Sequence, residues 1–344
     1  MTFRIALNFE DGATRFIDCN AGEKVLDAAY RNKINLPMDC SDGVCGTCKC
    51  RAEQGDYDLG DDYIDDALTA EEAEEGLVLT CQMVPSSDCV IAVPVPSSAC
   101  KVKPADIAVE LVAIERLSPH RVRVSIKATD AGLPAFLPGQ YVNFAVPGSG
   151  GAQRSYSFSS APGAEVATFL IRNIEGGRMG DYLGKRAATG DRLILNGPLG
   201  SFYLREPRRP MLMLAGGTGI APILSMLEEL AAKGANGHAV RLLYGAHDAA
   251  DLVEVERIEA LAARIPGFTF ATTCSGAGSD HPLTGHVTDH FGAADLNGGD
   301  ADIYLCGPPE MVEAVRAHVA SCGVTVANLY YEKFVPARAE ALAA

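Results

Sequence analysis

Basic residues are scarce: 29 Lys and Arg stand against 44 Asp and Glu in 344 residues, a formal net charge of −15 at pH 7. Binding to phosphate or anionic headgroups requires clustered Lys and Arg, so neither nucleic acid nor an anionic membrane surface is an expected partner. No apolar run approaches membrane-spanning length, and residues 1–8 show no basic stretch followed by an apolar one, so no membrane span and no secretory signal is read. Low-complexity tracts and internal repeats are also missing, and the expectation is a cytoplasmic globular protein. None of the seven histidines falls within residues 1–100. Finally, there is no G-x-G-x-x-G fingerprint, which argues against a standard Rossmann dehydrogenase.

What is present is unevenly placed. Eight of the eleven cysteines lie in residues 1–100, and so do 19 Asp and Glu against 7 Lys and Arg, a local net charge of −12. In a reducing cytoplasm such cysteines read as ligands or buried thiols rather than disulfides. An acidic module of this kind permits a basic protein partner.

The length suggests two or three domains. Residues 3–9 and 14–18 read as strands around the turn Asp11-Gly12, and Glu23–Arg31 reads as a helix. A cysteine loop follows from Pro37 to Cys50. Thr69 and Glu72 form a capping box opening a short acidic helix, after which Leu77–Cys81 and Cys89–Val93 read as strands. The stretch Pro94–Pro104 is the best linker candidate. From Ala108 to Leu204 short alternating strands between Pro and Gly turns imply an antiparallel β-barrel. After Pro210 apolar strands alternate with helices as far as Phe334, which implies a parallel sheet of nucleotide-binding type; Val335–Ala344 reads as a loose tail. The fold class is therefore multidomain: an α+β module over residues 1–99, an all-β barrel over 100–206 and an α/β domain over 207–337.

Cys40, Cys45 and Cys48 are spaced C-x4-C-x2-C, with Cys81 further on, the plant-type ligand arrangement for a 2Fe-2S cluster. Gly43 and Gly46 supply the backbone freedom that a loop needs to turn three thiolates inward. The competing readings are structural zinc, disfavoured because Cys81 has no second ligand nearby, and simple buried thiols. Cys50 reads as a bystander, and the other cysteines of no ligand spacing as small apolar fillers.

Arg154-Ser155-Tyr156-Ser157 lies on an expected barrel strand and supplies what a flavin needs: an aromatic ring, a hydroxyl donor and a cation. Alternation puts Arg154, Tyr156 and Phe158 on one face and Ser155, Ser157 and Ser159 on the other. Ile171-Arg172-Asn173, then Gly177, Met179 and Gly180, form a strand, turn and helix start with bare amides for a pyrophosphate. An ordinary strand with a surface arginine is the plainer alternative.

Gly216-Gly217-Thr218-Gly219, with Pro222 in the first helical turn, joins an apolar strand to a helix and fits a dinucleotide pyrophosphate. Cys306-Gly307-Pro308-Pro309 follows another strand and belongs at the same carboxyl edge. Cys306 reads either as a soft group against the reacting nicotinamide or as a buried core thiol. After Tyr244-Gly245 the segment through Asp248 offers no Lys or Arg to a 2′-phosphate, so NADH is expected over NADPH.

Taken in order, Cys40 to Cys81, Arg154 to Ser157, Gly216 to Pro222, Cys306 to Pro309 and Tyr331-Glu332-Lys333-Phe334 resemble the reductase components of aromatic-ring-hydroxylating dioxygenases, the benzoate type above all. The resemblance implies a plant-type ferredoxin (β-grasp) module, an FAD-binding barrel and an NADH-binding domain, with FAD, NADH and a 2Fe-2S cluster as cofactors. It places Ser157, Cys306, Glu332 and Phe334 at the reacting centre, with Phe334 covering the flavin. It also implies a terminal oxygenase, a Rieske-type hydroxylase, as electron acceptor. At Gly180 related reductases commonly have Ser or Thr, so a hydroxyl contact to the flavin phosphate is missing.

Hydride delivers two electrons and a cluster takes one, so FAD is expected to stand between them. The alternatives are the reductase of a soluble di-iron monooxygenase of phenol or methane type and an iron-sulfur redox sensor whose acidic helix, Thr69–Glu75, serves as a docking face.

Overall fold

The apolar alternation of the first residues becomes β1 (Thr2–Phe9) in the computed structural model, which describes residues 1–101, 105–130 and 132–335. Ile5, Leu7 and Phe9 point into the core while their neighbours face outward. The chain splits into two compact units, Met1–Pro104 with Leu199–Ser201, and Ala105–Pro198 with Phe202–Ala344.

In the first unit β2 (Thr14–Asn20), α1 (Val25–Arg31), β3 (Lys49–Gln54), β4 (Tyr57–Asp58), α2 (Ala70–Glu74), β5 (Leu77–Leu79), β6 (Val84–Pro85) and β7 (Cys89–Val93) follow β1. The main sheet has the order β2-β1-β7-β3-β5, with β1 and β7 parallel and the other pairs antiparallel. Helix α1 buries Val25, Leu26, Ala28 and Ala29, and its first amides bond to Met83 O and Thr80 O at 3.0 and 2.9 Å. Those bonds tie the helix to the turn that carries Cys81. The expected strand Leu77–Cys81 stops at Leu79 because the amides of Gln82 and Met83 turn back to its carbonyl. Residues 94–101 are docked rather than extended as a tether: Val95 and Cys100 are buried and Asn35 N donates to Cys100 O. The remainder of the expected linker, 102–104, and the tail 336–344, which holds the last two residues of the expected third domain, lie outside the described residues.

The second unit begins with the strands β8 (Ala105–Ser118), β9 (Arg121–Ala128), β10 (Tyr141–Ala145), β11 (Gln153–Ser157) and β12 (Val166–Arg172), then α3 (Arg178–Lys185) and β13 (Arg192–Leu199). Their order is β11-β10-β13-β8-β9-β12, and a Phe158–Phe169 bridge brings the two edges together into a barrel. Aromatic rings fill it: Phe136 stacks on Phe158 with centroids 3.8 Å apart, and Phe144 meets Phe169 edge-on at 4.9 Å. Truncating one such ring to Ala costs about 3–5 kcal/mol.

The parallel sheet comes next: β14 (Met211–Gly216), α4 (Ile220–Lys233), β15 (Val240–Ala246), α5 (Val255–Ala262), β16 (Phe268–Cys274), β17 (Asp302–Gly307), α6 (Pro309–Ser321) and β18 (Asn328–Lys333). All of β14 is buried, as a strand covered on both faces must be. Met211, Met213 and Ala215 enter one core, and Leu212 and Leu214 the other. The order β16-β15-β14-β17-β18 reverses direction between β14 and β17. A crevice at the carboxyl end of such a switch point is where ligands bind in open α/β sheets.

Candidate functional site: a cysteine loop, a barrel strand and a sheet edge

The cysteine loop turns at Gly43 and Gly46, both in the left-handed region at φ +84° and +71°. A Cβ on Gly43 would lie 2.8 Å from Tyr63 Cβ, so the loop also needs glycine for its close packing. Among the described residues no three His, Cys, Asp or Glu side chains converge to hold one metal ion. The four cysteines instead form two pairs. Cys40 and Cys45 stand close enough to interact, which lowers Cys45 to about 7 and pushes Cys40 up. Cys48 and Cys81 interact in the same way, which lowers Cys81 and raises Cys48. Two pairs are the division that a two-iron cluster makes, two thiolates on each iron, whereas a tetrahedral zinc gathers all four. Thr47 N at 3.5 Å from Cys45 Sγ and Gln82 Nε2 at 3.7 Å from Cys81 Sγ are the amide donors expected around such sulfurs. The thiol set therefore fits a 2Fe-2S cluster. Cys50 is buried on β3, its thiol pushed up by desolvation.

On the barrel, Arg154, Ser155, Tyr156 and Ser157 form most of β11, paired with β10. Tyr156 packs edge-on to Phe144 at 5.5 Å, and Phe158 continues into the barrel core; Ser155 Oγ, on the other face, donates to Asn143 Oδ1 at 2.6 Å. Burial pushes the Tyr156 phenol up, and the Arg154 charge partly offsets this. Ser157 is buried. Ile171 is buried and Arg172 exposed at the end of β12, and Asn173 N donates to His120 O. Gly177 precedes α3, whose Met179 is buried. A Cβ on Gly180 would meet both Asn173 Oδ1 and Ile174 O at 2.6 Å. The local backbone thus requires glycine at 180, and this turn offers a phosphate its amides, without a hydroxyl. With Arg154 on β11, Arg172 at the end of β12 and the bare amides of the turn into α3, the donor set fits a flavin pyrophosphate.

At the sheet edge the register places Ala215, Cys306 and Glu332 side by side on β14, β17 and β18. The loop Gly216-Gly217-Thr218-Gly219 closes over Cys306-Gly307: a Cβ on Gly219 would coincide with the Cys306 carbonyl, and one on Gly216 with Met311 Sδ. Pro222 lies in the first turn of α4, which begins at Ile220. Pro308 caps α6, and Phe334 N donates to Gly307 O at 2.9 Å, holding the Phe334 ring against the same core. Cys306 is wholly buried; desolvation pushes its thiol well up and the neighbouring Glu332 charge adds to this. Asp248 lines a separate cavity of about 520 Å³ with His247, Gly276, Ser279, Asp280 and His281, at the ends of β15 and β16 and with no Lys or Arg in its lining.

Sequence reasoning missed two groups. The segment Gly276–Pro282 lines the Asp248 cavity, and only its glycines hinted at a site. Arg121 is buried on β9, 3.4 Å from Asp251. In sequence it passes for one more outward residue of Arg121-Val122-Arg123.

Residues 8–86 match the family model for a 2Fe-2S iron-sulfur cluster binding domain, 108–203 that for an oxidoreductase FAD-binding domain and 213–317 that for an oxidoreductase NAD-binding domain. The protein is thus an oxidoreductase of the iron-sulfur flavoprotein class that uses NAD, FAD and a 2Fe-2S cluster. It is 52% identical over 334 residues to the toluate 1,2-dioxygenase electron transfer component of Pseudomonas putida, covering 97% of this chain and 99% of that one. It is 46% identical over 337 residues to the 2-halobenzoate 1,2-dioxygenase electron transfer component of Burkholderia cepacia, covering 98% and 99%. The chain belongs to the family of electron transfer components of aromatic-ring 1,2-dioxygenases. In fold it is similar to the ferredoxin reductase of carbazole 1,9a-dioxygenase, with a TM-score of 0.66 at 24% identity over 97% of this chain and 100% of that one. No helix among the described residues is long and apolar enough to cross a membrane.

Proposed function

We propose that the chain is the cytoplasmic reductase of a benzoate-type aromatic 1,2-dioxygenase system, oxidising NADH and passing single electrons through its own cluster to a Rieske-type terminal oxygenase. The relatives that serve toluate and 2-halobenzoate dioxygenases support this choice of partner. The observation that carries the reading is the presence in one chain of a cysteine loop turned at Gly43 and Gly46, with Thr47 and Gln82 amides on its sulfurs, and a dinucleotide edge at a sheet switch point.

The expected domain limits, 1–99, 100–206 and 207–337, assign one cofactor to each module. Cys40, Cys45, Cys48 and Cys81 hold the cluster. Arg154, Ser155, Tyr156 and Ser157 hold the flavin ring, and Ile171, Arg172, Asn173, Gly177, Met179 and Gly180 its phosphates. Gly216, Gly217, Thr218, Gly219 and Pro222 take the dinucleotide pyrophosphate, Asp248 the adenosine ribose, and Cys306, Gly307 and Pro308 the nicotinamide. Bound FAD supplies the exchange of a two-electron donor for a one-electron acceptor. Ser157 donates a hydrogen bond at the reacting ring, Phe334 excludes water from it, and Glu332 sets the charge beside Cys306.

Anaerobic titration of the holoprotein with NADH is expected to bleach flavin and cluster together, and a cluster that stays oxidised would overturn the electron order. Cys45→Ser should abolish the cluster spectrum and leave flavin reduction intact. Turnover with purified benzoate, toluate and anthranilate oxygenases identifies the partner, and coupling only to a di-iron hydroxylase would reverse the assignment.

A further inference from the structure

We propose that Arg121 is a binding residue for the dinucleotide pyrophosphate, gripping from the barrel the anion that the Gly216–Gly219 loop takes from the sheet; this rests on the reading that the loop receives that pyrophosphate. Three observations carry it.

First, Arg121 is 7% exposed and its Nε is buried without a hydrogen-bond partner. Its other donors are only loosely engaged: Nη1 reaches His120 O at 3.1 Å, and Nη2 lies 3.4 Å from an Asp251 carboxylate that already accepts from Ser118 Oγ at 2.8 Å. A desolvated guanidinium that keeps a spare N–H is costly unless an acceptor arrives.

Second, the guanidinium covers the glycine loop itself: Nη2 lies 3.3 Å from where a Cβ on Gly217 would be, at the loop's left-handed residue, φ +54°. It therefore stands beside the amides that start α4, where an anion is favoured.

Third, the barrel register sets Arg121 directly opposite Arg172. Like charges opposed across an antiparallel pair repel, and two anions relieve this, the flavin phosphates at Arg172 and an anion with two charges at Arg121 beside the loop. A pyrophosphate has that charge and the several acceptor oxygens that spare donors can use.

The test uses the holoprotein with Arg121→Met, Arg121→Lys and Asp251→Asn. Two probes separate the parts of the dinucleotide: ADP-ribose, which has the pyrophosphate and no nicotinamide, titrated calorimetrically, and 1-benzyl-1,4-dihydronicotinamide, a hydride donor without phosphate. Arg121→Met is expected to weaken ADP-ribose binding about 10- to 100-fold, the range of a charge-assisted hydrogen bond. It should raise the NADH KM in parallel with kcat held within about twofold. Reduction by the phosphate-free donor should be unchanged, and Arg121→Lys should fall between, which keeps the test open if the methionine variant does not fold. Asp251→Asn should bind ADP-ribose as the parent does. An equal loss in Asp251→Asn, or a parallel loss with the phosphate-free donor, would show that Arg121 only holds the two lobes together and would overturn the proposal. Failure of the unaltered protein to bind ADP-ribose would remove the loop reading itself, and the proposal with it.

Discussion

Gly219 and Cys306 meet backbone to backbone: the Cys306 carbonyl occupies the space where a side chain on residue 219 would begin. The glycine loop and the cysteine turn are thus one unit, and neither can shift without the other.

Gly219→Ala is expected to force them apart, at a cost of about 1–3 kcal/mol for overpacking, with a lower unfolding midpoint and a higher NADH KM. Gly184→Ala in α3 is the control. It meets nothing within 4 Å and should stabilise by about 0.5–1 kcal/mol as Ala replaces Gly in a helix. Thermal unfolding and steady-state kinetics on both variants check the contrast.

The capping box of α2 changes the view of its acidic run. Glu72 is 0% exposed; it accepts from Thr69 N at 2.9 Å and from Lys49 Nζ at 2.7 Å. It belongs to the interior and takes no part in a docking face. Glu72→Ala should destabilise by about 3–5 kcal/mol, since breaking a buried pair leaves a desolvated charge. Glu74→Ala, on the exposed side of the same helix, should stay within about 0.5 kcal/mol. Loss of the cluster absorbance on heating reads out both.

Cofactor choice is expected to turn on Asp248 and its cavity, whose lining holds no Lys or Arg. NADPH should be a poor donor because its 2′-phosphate would face carboxylates. Asp248→Arg should shift the kcat/KM ratio toward NADPH by about 10- to 100-fold through a charge-assisted contact. An unchanged ratio would place the adenosine elsewhere.

Acid stability tests the pairing of Glu23 with Arg31, 2.8 Å apart. The Arg31 hydrogen bond holds the Glu23 carboxyl below its ordinary value. A depressed carboxylate adds stability above its unfolded pKa, about 4.3, and loses it as pH falls through the folded value. Glu23→Gln should therefore unfold earlier than the parent at pH 7, and the two midpoints should converge in acid.

Much of this protein was legible in the chain because its signals are local. The C-x4-C-x2-C spacing with Gly43 and Gly46, the Thr69–Glu72 capping box, the alternation of β1 and the continuous apolar run of β14 each depend on a few neighbouring residues and on the periods of strand and helix. These determined the module order and the cofactors. What only tertiary structure decided depends on residues far apart in sequence. That Thr47 and Gln82 aim amides at the cluster thiols, that Glu72 is interior, that residue 180 must be glycine, that Cys306 carries Gly219 against it and that Arg121 faces inward beside Arg172 are matters of register and packing. A strand pattern says that side chains alternate; which neighbour stands opposite is set when the sheet assembles.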